Sequence, residues 1–308
     1  MEETTLNLCV VDTESKHAMA CYHPLLAYRS EGKIVFNKPF TFAKGFNLPC
    51  GQCVGCRLEY SRQWAVRLVH ENQMHEKSCF ITLTFNEEEL NKRSNPASVD
   101  VRDFQLFMKR LRKKHNKIRF FHCGEYGEQN KRPHYHALIF GYEFPDRKLW
   151  KIQNKQKYYR SEELEKLWPY GHVVIGEVTF TSCAYVARYI MKKQKGKNAD
   201  TAYHNPLTGE VIEPEYCTMS RKPGIGYEWF KKYKTDVYPN DYCVINGKKI
   251  KPPRYYDNLL SEQELEEIKN KRKENAPEVY AEYDERMDRL FVSEQVKITQ
   301  LQRLIRDL

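Results

Sequence analysis

Residues 133–140 read PHYHALIF, and the alternation inside that run limits what this chain can fold into. A β-strand turns successive side chains to opposite faces. His134 and His136 therefore share one face, and Tyr135 points into the other layer. The apolar continuation from Ala137 to Phe140 supports the strand. Two imidazoles at this spacing converge on one point, where they can hold a metal ion or merely share hydrogen bonds, and the pair alone leaves both readings open. A second strand, RFFHCGEYG (residues 119–127), runs into a glycine-flanked turn. Its connection to Pro133 is short, so the two strands read as a hairpin that brings Glu125 close to His134 and His136. A carboxylate with two histidines and open positions suits Mg²⁺ or Mn²⁺ working on a phosphate.

Downstream, residues 181–193 read TSCAYVARYIMKK. Thr181 or Ser182 is a candidate N-cap, and no Gly or Pro interrupts the run before Gly196, which predicts a helix. Tyr185 and Tyr189 lie at i, i+4 on one face, with Lys192 continuing that stripe. The same spacing is what an ordinary packed helix shows. Upstream, CFITLTF (residues 79–85) alternates and is rich in β-branched residues, as a core strand does.

The ordered set ITLTF, GEYG, HYH and YVARYIMKK resembles the HUH endonucleases, the superfamily of rolling-circle replication initiators. The paired tyrosines are similar to those of the initiators of small single-stranded DNA phages, the microviruses. PCGQCVGCRLEYSRQWAVR (residues 49–67) and MSRKPGIGYEWFKKY (residues 219–233) resemble the gokushovirus-type branch. The resemblance spans roughly residues 49–233. It implies an α+β fold, an HUH core whose central antiparallel β-sheet carries helices on one face, with a Cys-rich N-terminal extension and a helical C-terminal tail.

The resemblance also implies roles. His134, His136 and Glu125 become ligands of Mg²⁺ or Mn²⁺, with Glu128 an alternative to Glu125. Tyr185 and Tyr189 become nucleophiles and Lys192 a catalytic cation. Arg188 stands where the related pattern often has lysine. The implied activity is a divalent-metal-dependent nickase and strand transferase. One tyrosine cuts a single-stranded origin segment, leaving a 5′-phosphotyrosine and a free 3′-OH, and the second religates the displaced circle. Partners follow: the single-stranded or supercoiled circular phage DNA origin, a host helicase and a host DNA polymerase, in the host bacterial cytoplasm. A plasmid relaxase or single-strand transposase shares this chemistry, and a non-catalytic zinc-dependent nucleic-acid-binding protein stays open as a third reading.

Charge agrees with a DNA partner. The chain of 308 residues has a formal net charge of +10. Residues 261–308 hold 9 Lys+Arg against 12 Asp+Glu, and the remainder holds 42 against 29. The densest patch is Lys109, Arg110, Arg112, Lys113, Lys114, Lys117 and Arg119, which contains no acid. Residues 101–114 read as an amphipathic helix with Phe104, Phe107, Met108 and Leu111 inward, which leaves the basic residues for phosphate backbones. No G-x-x-x-x-G-K-[ST] is present, so strand unwinding falls to a partner.

Ten cysteines include Cys50, Cys53 and Cys56 at C-x-x-C-x-x-C spacing. Three thiols are one short of a structural Zn²⁺ site, and Cys21, His23 or Cys79 could supply the fourth ligand. A disulfide scaffold would also fit, but MEETTLNLCVVDTESKH is too polar for a secretory signal. The predicted organisation is an extension over 1–75, irregular as far as Cys56 and helical from Arg57, a catalytic core over 76–200, a turn-rich β extension over 201–260 and a helical segment over 261–308. Asn246-Gly247 marks a hairpin in the third, and Ala276-Pro277 a break in the fourth, whose later apolar residues approach a 3-4 repeat. No membrane span is evident.

Overall fold

Residues 21–48, expected to be irregular, contain a small antiparallel sheet in the computed structural model. Its strands are β1 (Leu25–Ser30), β2 (Lys33–Val35) and β3 (Phe46–Leu48), in the order β2-β1-β3. The structure describes residues 21–115, 117–127, 131–192, 203–204, 209–275 and 283–302, with the backbone alone for 190–192 and 283–286. These short strands lack the long alternating runs that sequence reading depends on. A helix, α1 (Val54–Asn72), follows directly.

The chain divides into two units, Trp64–Thr235 on the one hand and Met1–Gln63 with Asp236–Leu308 on the other. The first is built on a seven-stranded antiparallel sheet. In chain order it comprises β4 (Ser78–Thr84), short α2 (Glu87–Asn91), α3 (Val101–Lys114), β5 (Arg119–Tyr126), β6 (Pro133–Phe140), β7 (Lys148–Gln153), β8 (Gln156–Arg160), α4 (Glu162–Leu167), β9 (Val173–Gly176), α5 (Phe180–Lys192), β10 (Tyr216–Met219) and α6 (Tyr227–Val237). The strands run β10-β5-β6-β4-β9-β8-β7 across the sheet. The expected hairpin is therefore its middle, with Glu125 directly opposite His134 and Cys123 opposite His136.

Alternation gives this sheet two apolar faces. Ile81 and Leu83 of β4, Tyr135, Ala137 and Ile139 of β6, and Val173 and Ile175 of β9 form one core with Phe104, Phe107, Met108 and Leu111 of α3 and with Leu164 and Leu167 of α4. Each large side chain buried there contributes about 1.5–3 kcal/mol of transfer free energy. On the opposite face, α5 packs on β5, β6 and β10, and Trp64 of α1 meets Phe121 with ring centroids 5.2 Å apart. Helices thus cover both faces. The expected one-sided layer is corrected because Phe80, Phe121 and Leu138 are as buried as the residues behind them, and an apolar face must be covered.

Two boundaries also differ from expectation. The β7–β8 hairpin lies in a stretch read as connection; its turn residues Asn154 and Lys155 both have positive φ, the requirement of a type I′ turn without its usual Asn-Gly signature. The cap of α5 is Thr179 rather than Thr181 or Ser182. The Ser182 amide donates to the Thr179 hydroxyl at 3.2 Å, and the Thr179 amide donates to the Ser182 hydroxyl at 2.8 Å. This reciprocal pair is a variant of the capping box.

The other unit contains, besides β1 to β3, the hairpin β11 (Cys243–Ile245) and β12 (Lys248–Ile250), then α7 (Arg254–Asp257), α8 (Glu262–Glu274) and α9 (Tyr283–Gln302). Asn246 and Gly247 take positive φ at the hairpin turn, as expected. The expected break at Ala276-Pro277 lies outside the described residues. Among the described residues no helix is long and apolar enough to cross a membrane.

Candidate functional site

The β5–β6 register places three acid–base side chains on one spot. His134 Nε2 lies 2.8 Å and His136 Nε2 2.9 Å from the same oxygen of Glu125. Glu125 is 1% exposed and His136 2%. Burial alone would raise the carboxyl pKa of Glu125, but the bonds from His134 and His136 outweigh it and hold the group well below the usual carboxylate range.

A second layer aims the imidazoles. The Thr82 hydroxyl lies 2.9 Å from His136 Nδ1, and the Arg132 carbonyl lies 3.1 Å from His134 Nδ1. A carbonyl only accepts, so His134 Nδ1 carries its proton and Nε2 is the nitrogen available as a ligand. Outer partners that fix the tautomer of a ligating histidine are a usual part of metal sites. The three ligand atoms lie within 4.8 Å of one another. A buried carboxylate facing two nitrogens fits a divalent cation, which needs this mixed oxygen and nitrogen set and open positions for substrate.

The helix α5 brings both tyrosines to the same place. Cys183, Ala184, Val186 and Ala187 are buried and turn Tyr185 and Tyr189 toward the histidines. The Tyr185 hydroxyl lies 3.4 Å from His136 Nε2. The Tyr189 ring stacks on His136 with centroids 5.7 Å apart and planes 13° from parallel, and the two tyrosine rings are 5.0 Å apart. Burial, and then the Glu125 charge, push both phenols above their ordinary pKa. Positive charge placed at Glu125 opposes the second effect.

A separate cluster lies in the other unit. Pairing of β1 with β3 sets Leu25 opposite Leu48 and so brings Cys21, ahead of β1, beside Cys50, behind β3. Cys21, Cys50, Cys53 and Cys56 place their sulfurs within 4.8 Å of one another. The fourth member is Cys21. His23 instead pairs with Glu294 at 2.5 Å, and Cys79 sits in the core of the main sheet. The Cys21 and Cys53 sulfurs are 3.9 Å apart, close to the ~3.8 Å edge of a tetrahedron with ~2.3 Å metal–sulfur bonds and far beyond a disulfide. Amides of Cys50 and Cys53 donate to the Cys21 and Cys50 sulfurs at 3.2 and 3.3 Å. Burial resists ionisation of Cys53, but amide donors from Cys56 and Tyr22 outweigh it and bring its pKa down to about 7. Four such thiols fit a tetrahedral metal ion.

Comparison with known proteins agrees with these arrangements. The family model for replication-associated protein ORF2 and gene-2 protein matches residues 78–194, the stretch from β4 through α5. Replication-associated protein VP4 of Bdellovibrio phage phiMH2K is 34% identical over 281 residues, covering 86% of this chain and 81% of that protein. Replication-associated protein ORF2 of Spiroplasma virus 4 is 33% identical, covering 75% and 74%. The chain belongs to this family of phage replication-associated proteins. Replication-associated protein ORF4 of Chlamydia phage 1 is similar at 30% identity over 70% of this chain and 54% of that protein. No solved structure matches. A role in starting replication of a small phage genome follows from the family.

The remaining candidate residues are scattered. The Lys192 side chain and Glu128 lie outside the described residues. The basic patch belongs to α3 and the strand after it. Since α3 packs on the Tyr135 face, it stands across the sheet from His134 and His136. Arg110 is tied to the Leu167 carbonyl at 2.9 Å, and Arg119 to Glu71 at 2.5 Å and the Pro223 carbonyl at 3.0 Å. Arg112 donates to the Ile118 carbonyl at 2.9 Å, and Lys114 lies 3.6 Å from Glu163. Lys109, Lys113 and Lys117 are exposed. Arg112, Lys113 and Lys114 also occupy the last turn of α3, where positive charge stabilises the helix end. Thr82 and the Arg132 carbonyl escaped sequence reading altogether, because only the β4–β6 register brings them to the histidines.

Proposed function

We propose that this replication-associated protein is an HUH-type nickase and strand transferase that opens and closes rolling-circle copies of a small circular phage genome. The observation that carries the reading is the approach of the Tyr185 hydroxyl to His136 Nε2 at 3.4 Å, with Glu125 and His134 completing the ligand set behind it. A phenol placed there can reach a phosphate held at the same point. Mg²⁺ or Mn²⁺ held by His134, His136 and Glu125 would polarise the phosphoryl oxygens.

In this mechanism one tyrosine oxygen attacks the scissile phosphorus as its phenolic proton is lost. The bond from phosphorus to the 3′ oxygen breaks, and that oxygen takes a proton. The products are a 5′-phosphotyrosine and a free 3′-OH for a host polymerase. After one round the second tyrosine cuts the regenerated origin in the same way. The released 3′-OH then attacks the first phosphotyrosine, the phosphorus–tyrosine bond breaks, and the circle closes. Each step exchanges one phosphodiester for another, so no nucleotide cofactor is consumed. Tyr185 and Tyr189 share one face of α5 and one histidine neighbour, which suits alternation. Lys192, on the same stripe, would offset charge on the phosphate.

The reading assigns the tetrahedral Cys21, Cys50, Cys53 and Cys56 set to Zn²⁺ as a structural staple. It places the protein in the host bacterial cytoplasm with a host helicase, and gives exposed Lys109, Lys113 and Lys117 a sequence-independent attraction for DNA. Arg188 separates the two tyrosines into different tryptic peptides. After reaction with a single-stranded origin oligonucleotide and Mn²⁺, mass spectrometry should therefore find nucleotide on the Tyr185 or the Tyr189 peptide. A modification on neither, with cleavage intact, would refute tyrosine attack.

A further inference from the structure

The hairpin of β7 and β8 forms one edge of the main sheet, and Arg147 to Arg160 includes six lysines and arginines and no acid. Every residue of β7 is exposed, among them Leu149 at 55% and Trp150 at 46%. Lysines alone would protect a sheet edge from pairing. A large exposed aromatic among them adds nothing to that protection, but it is what a base-stacking surface requires.

Register fixes which way the group faces. Tyr159 stands opposite Ile175, which belongs to the core against α3. Tyr158 and Arg160 therefore point to the other side, the side of His134 and His136. Lys151 pairs with Tyr158 across the hairpin. Its Nζ lies 4.8 Å from the Trp150 ring centre, and the Arg160 guanidinium lies 4.4 Å from the same ring. Nearby acids leave these groups uncompensated. Asp146 accepts from the Ser161 hydroxyl and the Glu163 amide, and Glu162 lies 3.7 Å from Lys148 in an exposed pair of little strength. Four strand positions separate β7 from β6, about 19 Å at ~4.8 Å per strand.

We propose that the β7–β8 hairpin is a second contact for single-stranded DNA, with Trp150 stacked on an unpaired base and Lys151 and Arg160 on the adjoining phosphates. The proposal rests on the nickase reading for its purpose, holding the strand that enters the histidine–tyrosine site from one edge of the sheet. Its ligand chemistry stands on the hairpin itself: a polyanion for the acid-free run and an unpaired base for the exposed indole, which a duplex does not present.

The test is fluorescence anisotropy of the full chain with labelled oligothymidylate and, separately, with a labelled duplex, in buffer without added Mg²⁺ or Mn²⁺ so that cleavage does not enter. Trp150→Ala should weaken single-strand binding about tenfold, the loss of one stacked base, while Trp150→Phe keeps most of it. Lys151→Gln with Arg160→Gln should reduce the slope of log affinity against log salt by about 1.4. Duplex binding should change less than twofold in each. The proposal is overturned by unchanged single-strand affinity in these variants, by equal losses on duplex, or by a larger loss from Lys109→Gln with Lys113→Gln on α3. Failure of the nickase reading is separable: wild type would then form no tyrosine adduct with DNA while the hairpin effects persisted.

Discussion

Thr82 shows how much of the site lies one layer behind its ligands. Its hydroxyl meets His136 Nδ1, and that contact alone decides which way the imidazole Nε2 points. Thr82→Val removes the contact at nearly constant volume, so Mn²⁺ affinity should fall about 10- to 100-fold by isothermal titration calorimetry, with little change in thermal stability. Unaltered affinity would mean that Thr82 does not orient the ligand. Gly171 supports the site sterically. A Cβ there would come within 2.4 Å of the Asn86 amide and 2.5 Å of the Thr84 carbonyl, both backbone atoms. Gly171→Ala should cost about 1–3 kcal/mol by overpacking in urea denaturation, and it should weaken Mn²⁺ binding by shifting the end of β4. The histidine pair was legible because its spacing is covalent: i and i+2 share a strand face whatever the fold. Glu125 was legible through a short hairpin connection. Thr82 was not, since its neighbour is 54 residues away in sequence and only a non-local register joins them.

At the scale of elements, amphipathic pattern was a good guide to helices and a poor one to what their polar faces do. The boundaries and inward residues of α3 follow its pattern, with Phe104, Phe107, Met108 and Leu111 buried. Its cations read as a DNA surface, yet Arg110 and the following Arg119 are anchors within the fold. Arg119 joins β5 to Glu71 of α1, and Glu71 also accepts from His75 at 3.2 Å and from the Gly226 amide at 2.7 Å. Burial would raise the Glu71 pKa, but the donors His75, Arg119 and Gly226 outweigh it and lower it. A lowered carboxylate pKa adds stability above the unfolded value of about 4.3, and that stability is lost as pH falls through the folded value. Glu71→Gln should thus cost about 3 kcal/mol at neutral pH, and its deficit should shrink below pH ~4 in urea titrations. A deficit that stays constant with pH would show that charge on Glu71 is not what holds these elements.

For the whole molecule, the sequence-level distinction between a histidine centre and a cysteine centre corresponds to two units with separate metal-binding chemistry. Cys21 lies 29 residues before Cys50, and the small strands that bring it back carry too little pattern to foresee. Purified protein should contain about one Zn²⁺ per chain by elemental analysis, and Cys21→Ser should lower that content and thermal stability while leaving Mn²⁺ binding at Glu125, His134 and His136 in place. Undiminished zinc in Cys21→Ser would remove Cys21 from the ligand set. The central claim is covalent catalysis by paired tyrosines, and its most direct test is a protein–DNA adduct that survives SDS. Wild type, Tyr185→Phe, Tyr189→Phe and the double variant would be incubated with single-stranded oligonucleotides tiled from the cognate genome, with Mn²⁺ or with EDTA. The account expects a metal-dependent adduct in wild type and in each single variant, lost only in the double variant. An adduct that persists without both tyrosines, or none on any tile from protein that holds Mn²⁺ and binds the DNA, would contradict it.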